Sequence, residues 1–235
     1  MTRHLFLIFT IFTTSLSSFG QHNFGLKANL GISYLTTRIE SLIPQQEQKF
    51  YPMPSGQIGI YYSYQITEKF NIATDLLFIP IYGRDRIKTV NNSVIGNSNG
   101  YQSEAYFYRQ IYNLGFPIYF GYNYKKININ IGFQTHYVLT SGGKQKGSNT
   151  INGNTQKNES KMEKLGINKI DYGPRVGIVY EKSDKLSFNA NYYFGLTNLL
   201  ENSIVNSFWV WKVQLLTFGI NYKLLGHKKE VKATE

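Results

Sequence analysis

From Phe24 onward, apolar residues recur at every second position in segment after segment of about ten residues, which is the spacing of strands and not of helices. The first segment sets Phe24, Leu26, Ala28, Leu30, Ile32 and Tyr34 against Lys27, Asn29, Gly31 and Ser33. The clearest, ININIGFQTHYVL, sets Ile127, Ile129, Ile131, Phe133, Tyr137 and Leu139 against Asn128, Asn130, Gly132, Gln134 and His136. Six more follow the rule, at 55–66, 70–82, 114–122, 172–180, 186–196 and 216–224. In the last, Trp209, Trp211 and Val213 have the opposite parity. Either the phase slips at a bulge between Gln214 and Leu216, or this end of the strand is apolar on both faces.

Eight such segments suit a sandwich, a soluble barrel or a transmembrane barrel, and the connections discriminate. About twenty residues separate the first two strands, a tight turn follows at Thr67-Glu68-Lys69, and Gly83 to Tyr106 is long again. Asn123 to Lys126 is short, Ser141 to Lys169 long, Glu181 to Lys185 short, and Leu199 to Ser207 of medium length. Outer-membrane barrels alternate in this way, because turns on one side are tight and loops on the other are free to grow.

The faces agree. The polar face is rich in Gly, Asn, Gln and Ser with scattered charges, whereas a solvated face carries many Lys and Glu. Small uncharged polar groups suit a narrow interior in which each finds a hydrogen-bond partner. Aromatic residues gather near strand ends: Tyr64, Phe70, Tyr122, Tyr180, Phe188 and Tyr222 beside the short turns, and Tyr34, Tyr82, Tyr137, Tyr172 and Phe194, with Trp209 and Trp211, toward the long loops. Both positions are those of interfacial girdles. The fold expected is therefore all-β: an eight-stranded antiparallel up-and-down transmembrane β-barrel with short periplasmic turns and long extracellular loops.

Composition narrows the classes further. With no Cys there is no disulfide scaffold, zinc finger or thiol nucleophile. The N-terminal run LFLIFTIFTTSL after Arg3 and His4, followed by small and polar residues, reads as a secretory signal peptide over 1–20. The barrel is expected over 21–225, with a polar tail at 226–235.

With the strands placed, the chain resembles the PorT-like family of small outer-membrane β-barrels. The third strand, FNIATDLLF, has Asp75 where that family usually has a lumenal Glu. The fourth, NLGFPIYFGY, is similar to its Pro-containing strand around Pro117, with Gly115 where an acid or amide is common. The run DYGPRVGIVYE and then LSFNANYYFGLTNL resembles its Asp-x-Gly strand and its Tyr-x-x-Gly-Leu-Thr-Asn ending, here Tyr192, Gly195, Leu196, Thr197 and Asn198. The tail GHKKEVKATE departs from a family that commonly ends on an aromatic strand. The resemblance implies a link to protein secretion, the role of the family's best-known members.

Little catalytic chemistry is legible. Of four His, only His136 lies within a strand, with Gln134 beside it and Asn113 or Asp171 across from it. A hydrogen-bonded lumenal His is the reading adopted, and no Gly-x-Ser-x-Gly, phosphate loop or metal spacing appears. No catalytic, cofactor-binding or metal residue is expected, and no cofactor. Lys27, Asp75, Arg109, His136, Asp171 and Arg175 are expected to form a structural polar cluster in the lumen, with Asp75 paired to Lys27, Arg109 or Arg175 because confined charges need partners.

The net charge of +11 does not point to nucleic acid in an exported chain without a recognition motif. Much of the basic excess falls in 141–169, at Lys144, Lys146, Lys157, Lys161, Lys164 and Lys169, in a Gly-, Ser- and Asn-rich segment expected to be mobile. These lysines could meet lipopolysaccharide phosphates. The expected partners are outer-membrane lipids, lipopolysaccharide included, and envelope or secretion proteins. The expected function is non-enzymatic, acting through surface loops or envelope contacts. The alternatives are a small barrel enzyme modifying lipid or peptide, and a narrow passive channel.

Overall fold

The computed structural model describes residues 21–39, 46–91, 101–151, 153–200 and 209–226. The expected signal peptide and nearly all of the expected tail lie outside them. Ten strands make one antiparallel sheet: β1 (Gln21–Ile39), β2 (Gln46–Tyr51), β3 (Met53–Gln65), β4 (Phe70–Asn91), β5 (Tyr101–Tyr124), β6 (Ile127–Ile151), β7 (Asn154–Met162), β8 (Ile170–Glu181), β9 (Leu186–Phe194) and β10 (Trp209–Gly226).

Eight of them close a ring. Each of β1, β3, β4, β5, β6, β8, β9 and β10 pairs with the next, and β1 pairs back onto β10 from Asn23↔Gly226 to Ile39↔Trp209. Closure removes every edge within the ring, the condition for crossing hydrocarbon with satisfied backbone groups. The short turns are at 66–69, 125–126 and 182–185. Lys125, at φ 54°, takes the left-handed conformation that a two-residue hairpin loop requires.

At the other end the sheet outgrows the ring. The segments expected as loops at 83–106 and 141–169 are largely strand. β4, β5 and β6 run on together, flanked by β2 (Gln46↔Thr89 to Tyr51↔Arg84) and β7 (Gly143↔Met162 to Ile151↔Asn154), giving an extension ordered β2-β4-β5-β6-β7. The expectation of a loop over 141–169 is thereby corrected at 141–151 and 154–162. Asn152-Gly153 is a strong hairpin signal, and Gly153 has φ 79°. β2 and β3 form almost one strand, interrupted at Pro52, which has no N–H to donate to a ladder.

Facing follows the alternation. Ile127, Ile129 and Ile131 are 38%, 58% and 64% exposed on the outside of the ring, while Asn128, Asn130, Gln134 and His136 between and after them are buried. Outward too are the expected girdle residues Phe70, Tyr122, Tyr180, Phe188 and Tyr222 near the short turns and Tyr137 and Tyr172 near the long connections.

Two expectations fail on β10. Its pairing runs unshifted through Gln214–Leu216, and its irregularity with β1 lies instead at Phe24/Gly25. Trp211 is buried in the lumen and belongs to no girdle; the Trp209 side chain lies outside the described ones. The parity puzzle resolves because Trp211, Val213 and Leu215 point inward, into an interior that is apolar at this height. A true bulge occurs on β6, where Leu139 is skipped between Asn113↔Val138 and Tyr112↔Thr140.

Candidate functional site

The lumen has two tiers. Along β1 the inward residues are Lys27, Asn29 and Ser33, then Leu35; along β4, Asn71 and Asp75, then Leu77, Ile79 and Ile81; along β10, Asn221 and Thr217, then Leu215, Val213 and Trp211. The polar tier adjoins the short turns and the apolar tier the long connections. A lumen polar throughout, as the alternation implied, is therefore corrected.

In the polar tier Lys27 Nζ lies 2.5 Å from Asp75 Oδ2, both side chains sealed from solvent. Tyr119 donates its hydroxyl to Asp75 Oδ1 at 2.9 Å. The Arg175 guanidinium stacks 4.2 Å over the Tyr119 ring and donates to Asn130 Oδ1 at 3.0 Å and to Asn191 Oδ1. Amides extend the chain on both sides. Asn130 donates to Asn128, and Asn128 to Asn71; Asn191 donates to Asn189, and Asn189 to Asn221. Such short side chains reach one another because glycines let them in: a Cβ on Gly177 would meet Asn191 Oδ1 at 2.6 Å and Asn130 Oδ1 at 2.7 Å. Below this network a cavity of about 120 Å³ is lined by Asn23, Ser63, Asn123, Glu181 and Lys223 at the short-turn end, with Tyr119 among its walls.

At the seam between the tiers, His136 and Asp171 face each other as partners in the β6–β8 register. His136 Nδ1 is 3.9 Å from Asp171 Oδ2, too long for a hydrogen bond. Gln134 Nε2 contacts the other ring nitrogen, and Tyr193 donates to Asp171 Oδ2 at 2.9 Å while its ring lies 4.4 Å from that of His136. His136 is 1% exposed and is not among the residues that line this cavity.

The apolar tier packs Leu35, Leu77, Ile79, Ile81, Ile111, Val138, Val213 and Leu215 with four residues from the connections, Leu165, Ile167, Leu199 and Leu200. Ile167 bridges Leu200, and Asn168 donates to the carbonyls of Asn198 and Leu200. Residues 163–169 and 195–200 thus fold into the mouth of the barrel and pack on the apolar tier. Above lies Arg109, bonded through both terminal nitrogens to buried Asp85 and stacked 4.1 Å over the Trp211 ring.

Of the six expected cluster residues, the structure brings Lys27, Asp75 and Arg175 together around Tyr119 and pairs His136 with Asp171. Arg109 is not among Asp75's partners: it stands at the opposite end of the apolar tier with Asp85, a residue the sequence reading placed in a loop. Tyr119 and Tyr193, which tie both groups together, were legible as inward by parity but carry no motif. Gly115 also gains a reason, since a Cβ there would collide with Ile79. Among the described residues no group of three or more His, Asp or Glu could hold a metal.

A closed antiparallel ring with an apolar, girdled exterior and a filled interior defines a transmembrane β-barrel. Residues 16–201 match the model of the outer membrane protein beta-barrel domain family, and the chain belongs to that family, so the outer membrane is where it resides. The short turns then face the periplasm and the extended sheet the exterior. No curated protein matches the chain. Among solved structures it is similar to the neisserial surface protein NspA (12% identity, 85% of this chain and 96% of that one, TM-score 0.33). It is also similar to the attachment invasion locus protein Ail of Yersinia pestis (8%, 87% and 99%, 0.34) and to the outer membrane protease OmpT from Escherichia coli (8%, 88% and 97%, 0.32).

Proposed function

We propose that this barrel is a non-conducting, non-catalytic platform of the outer membrane whose work is done outside the bilayer, on the extended β2-β4-β5-β6-β7 sheet and at the periplasmic turns, in contact with other envelope proteins. The observation that carries the reading is the filling of the lumen. Eight strands leave an interior about wide enough for side chains, and here a bonded polar tier and an apolar plug occupy it in series. The sequence resemblance to PorT-like barrels makes components of protein secretion the first partners to seek.

The test is in-cell crosslinking of the full chain followed by identification of the captured proteins, with planar-bilayer recordings of the purified barrel. The expectation is a specific envelope partner lost on deletion of the β6–β7 hairpin, and no unitary conductance. Open-channel currents, or an unchanged partner set after the deletion, would contradict it.

The facing of His136 and Asp171 favours a second reading, a hydrolase acting on lipid or peptide. Its burial among Gln134, Tyr193 and the plug opposes substrate access. Loss of a lipid- or peptide-modifying activity in His136→Ala, with folding intact, would establish that reading instead.

A further inference from the structure

The outward face of the extended sheet carries its charge in ordered rows. The strand register sets Tyr51, Arg84, Tyr108, Lys144 and Lys161 side by side across five strands. One step further from the membrane the row is Lys49, Arg86, Tyr106, Lys146 and Glu159, and the next is Glu47, Lys88, Glu104, Ser148 and Lys157. Read outward, the three rows hold three cations and no carboxylate, three cations and one carboxylate, then two of each. The excess of positive charge is thus greatest in the row nearest the bilayer and vanishes by the third.

Pairing sharpens the gradient. In the outer rows Arg86 bonds Glu104, Lys146 bonds Glu159 at 3.1 Å and Lys49 bonds Glu47 at 2.9 Å. In the first row, among the described residues, neither Arg84, Lys144 nor Lys161 has a carboxylate within ion-pair distance. Arg84 instead lies 5.0, 5.2 and 5.3 Å from the ring centroids of Tyr51, Tyr106 and Tyr108, and Lys144 lies 5.6 Å from that of Tyr108. The rings hold the two cations in place without neutralising them.

The height of this row is fixed by its strands. Arg84 is the next outward residue after Tyr82, and on β5 Tyr108 follows Tyr112 and Gln110. The Tyr82 and Tyr112 rings meet edge to face at 6.4 Å at the outer girdle. Two residues of strand advance about 7 Å, so the row stands at the height of the headgroups.

We infer that the row Tyr51–Arg84–Tyr108–Lys144–Lys161 binds the phosphate groups of the outer leaflet's phosphorylated glycolipid. The argument is charge complementarity at a fixed depth. A soluble polyanion can approach a row at any height, whereas a sheet of phosphates at the bilayer surface reaches the first row, where the excess positive charge is greatest, and its attraction falls off within a Debye length. The unpaired guanidinium offers a planar fork that suits a phosphate.

The experiment uses the full chain folded in neutral detergent micelles, titrated with bis-phosphorylated lipid A and, separately, with its dephosphorylated form, with bound lipid counted by native mass spectrometry. Arg84→Gln/Lys144→Gln removes two first-row cations, and Lys88→Gln/Lys157→Gln removes the same charge from the third row. The expected result is binding of the phosphorylated lipid weakened about tenfold or more by the first pair, at most about twofold by the second, and no such difference with the dephosphorylated lipid. Equal losses from both pairs, no loss from either, or equal binding of the dephosphorylated lipid overturns the inference. Lys144→Gln/Lys161→Gln, both exposed, repeats the test if Arg84→Gln does not fold. Heat-modifiable gel mobility reports on the barrel itself, so a failure of the membrane reading would appear there and not in the lipid ratio.

Discussion

The two tiers of the lumen solve the same problem, filling a ring of eight strands, by different physics. Near the periplasmic turns the space is spanned by directed bonds: Arg175 and eight asparagines or glutamines bond one another across and along the strands, and Asp75 is held by Lys27 and Tyr119. Removing one partner there leaves the others buried and unpaired. Toward the exterior the space is filled by aliphatic side chains and by the ends of the connections, and what matters is volume and apolar area. One tier is sensitive to the identity of single atoms, the other to how much material is present.

The largest effect expected is that of Asp75→Ala, which leaves the Lys27 ammonium buried and Tyr119 without its acceptor. It should lower unfolding stability by ~3–5 kcal/mol, read from urea unfolding in micelles. The double change Lys27→Met/Asp75→Leu should recover most of that loss; failure to recover would mean that the pair acts through shape and not through charge. In the other tier Leu215→Ala should cost about 3 kcal/mol through the cavity it leaves, with no rescue from any polar substitution. Ile129→Lys, on the outside, should cost ~2–3 kcal/mol if that face meets lipid near the midplane, whereas a solvated face would accept it without loss. The smallest effect lies at the seam, where Gly115→Ala should cost about 1–2 kcal/mol by overpacking against Ile79, relieved when Ile79→Val is added.

Where one face was apolar and the other polar, the sequence was sufficient. The Ile127–Leu139 alternation located β6, and the same contrast found the facing of Lys27, Asp75, His136, Asp171 and Arg175. It failed where both faces are apolar. In TDLLFIPIYG the outward Leu76, Phe78 and Tyr82 are interleaved with inward Leu77, Ile79 and Ile81, so no period-two contrast remains to reveal a second tier. The same loss of contrast made Trp211 and Val213 look out of phase. It also failed where neither face is apolar: β7, NTQKNESKM, is exposed along almost its whole length, so the segment read as loop and the hairpin was missed despite the Asn-Gly pair at 152–153. The pairing of Arg109 with Asp85 was hidden for a related reason, since Asp85 stands past Tyr82, where the unbroken apolar run of β4 ends, and read as loop.

The claim on which all of this depends is that the isoleucine row of β6 faces hydrocarbon while the residues between face a filled interior. Because the chain has no cysteine, single labels can be placed without background. Spin labels at Ile129→Cys, Asn130→Cys and Ile131→Cys, in the barrel reconstituted into vesicles, can be probed with oxygen, which concentrates in lipid, and with a water-soluble nickel chelate. High oxygen and low nickel accessibility at 129 and 131, with low accessibility to both at 130, is the result expected. High nickel accessibility at 129 and 131, or oxygen accessibility greatest at 130, would contradict it.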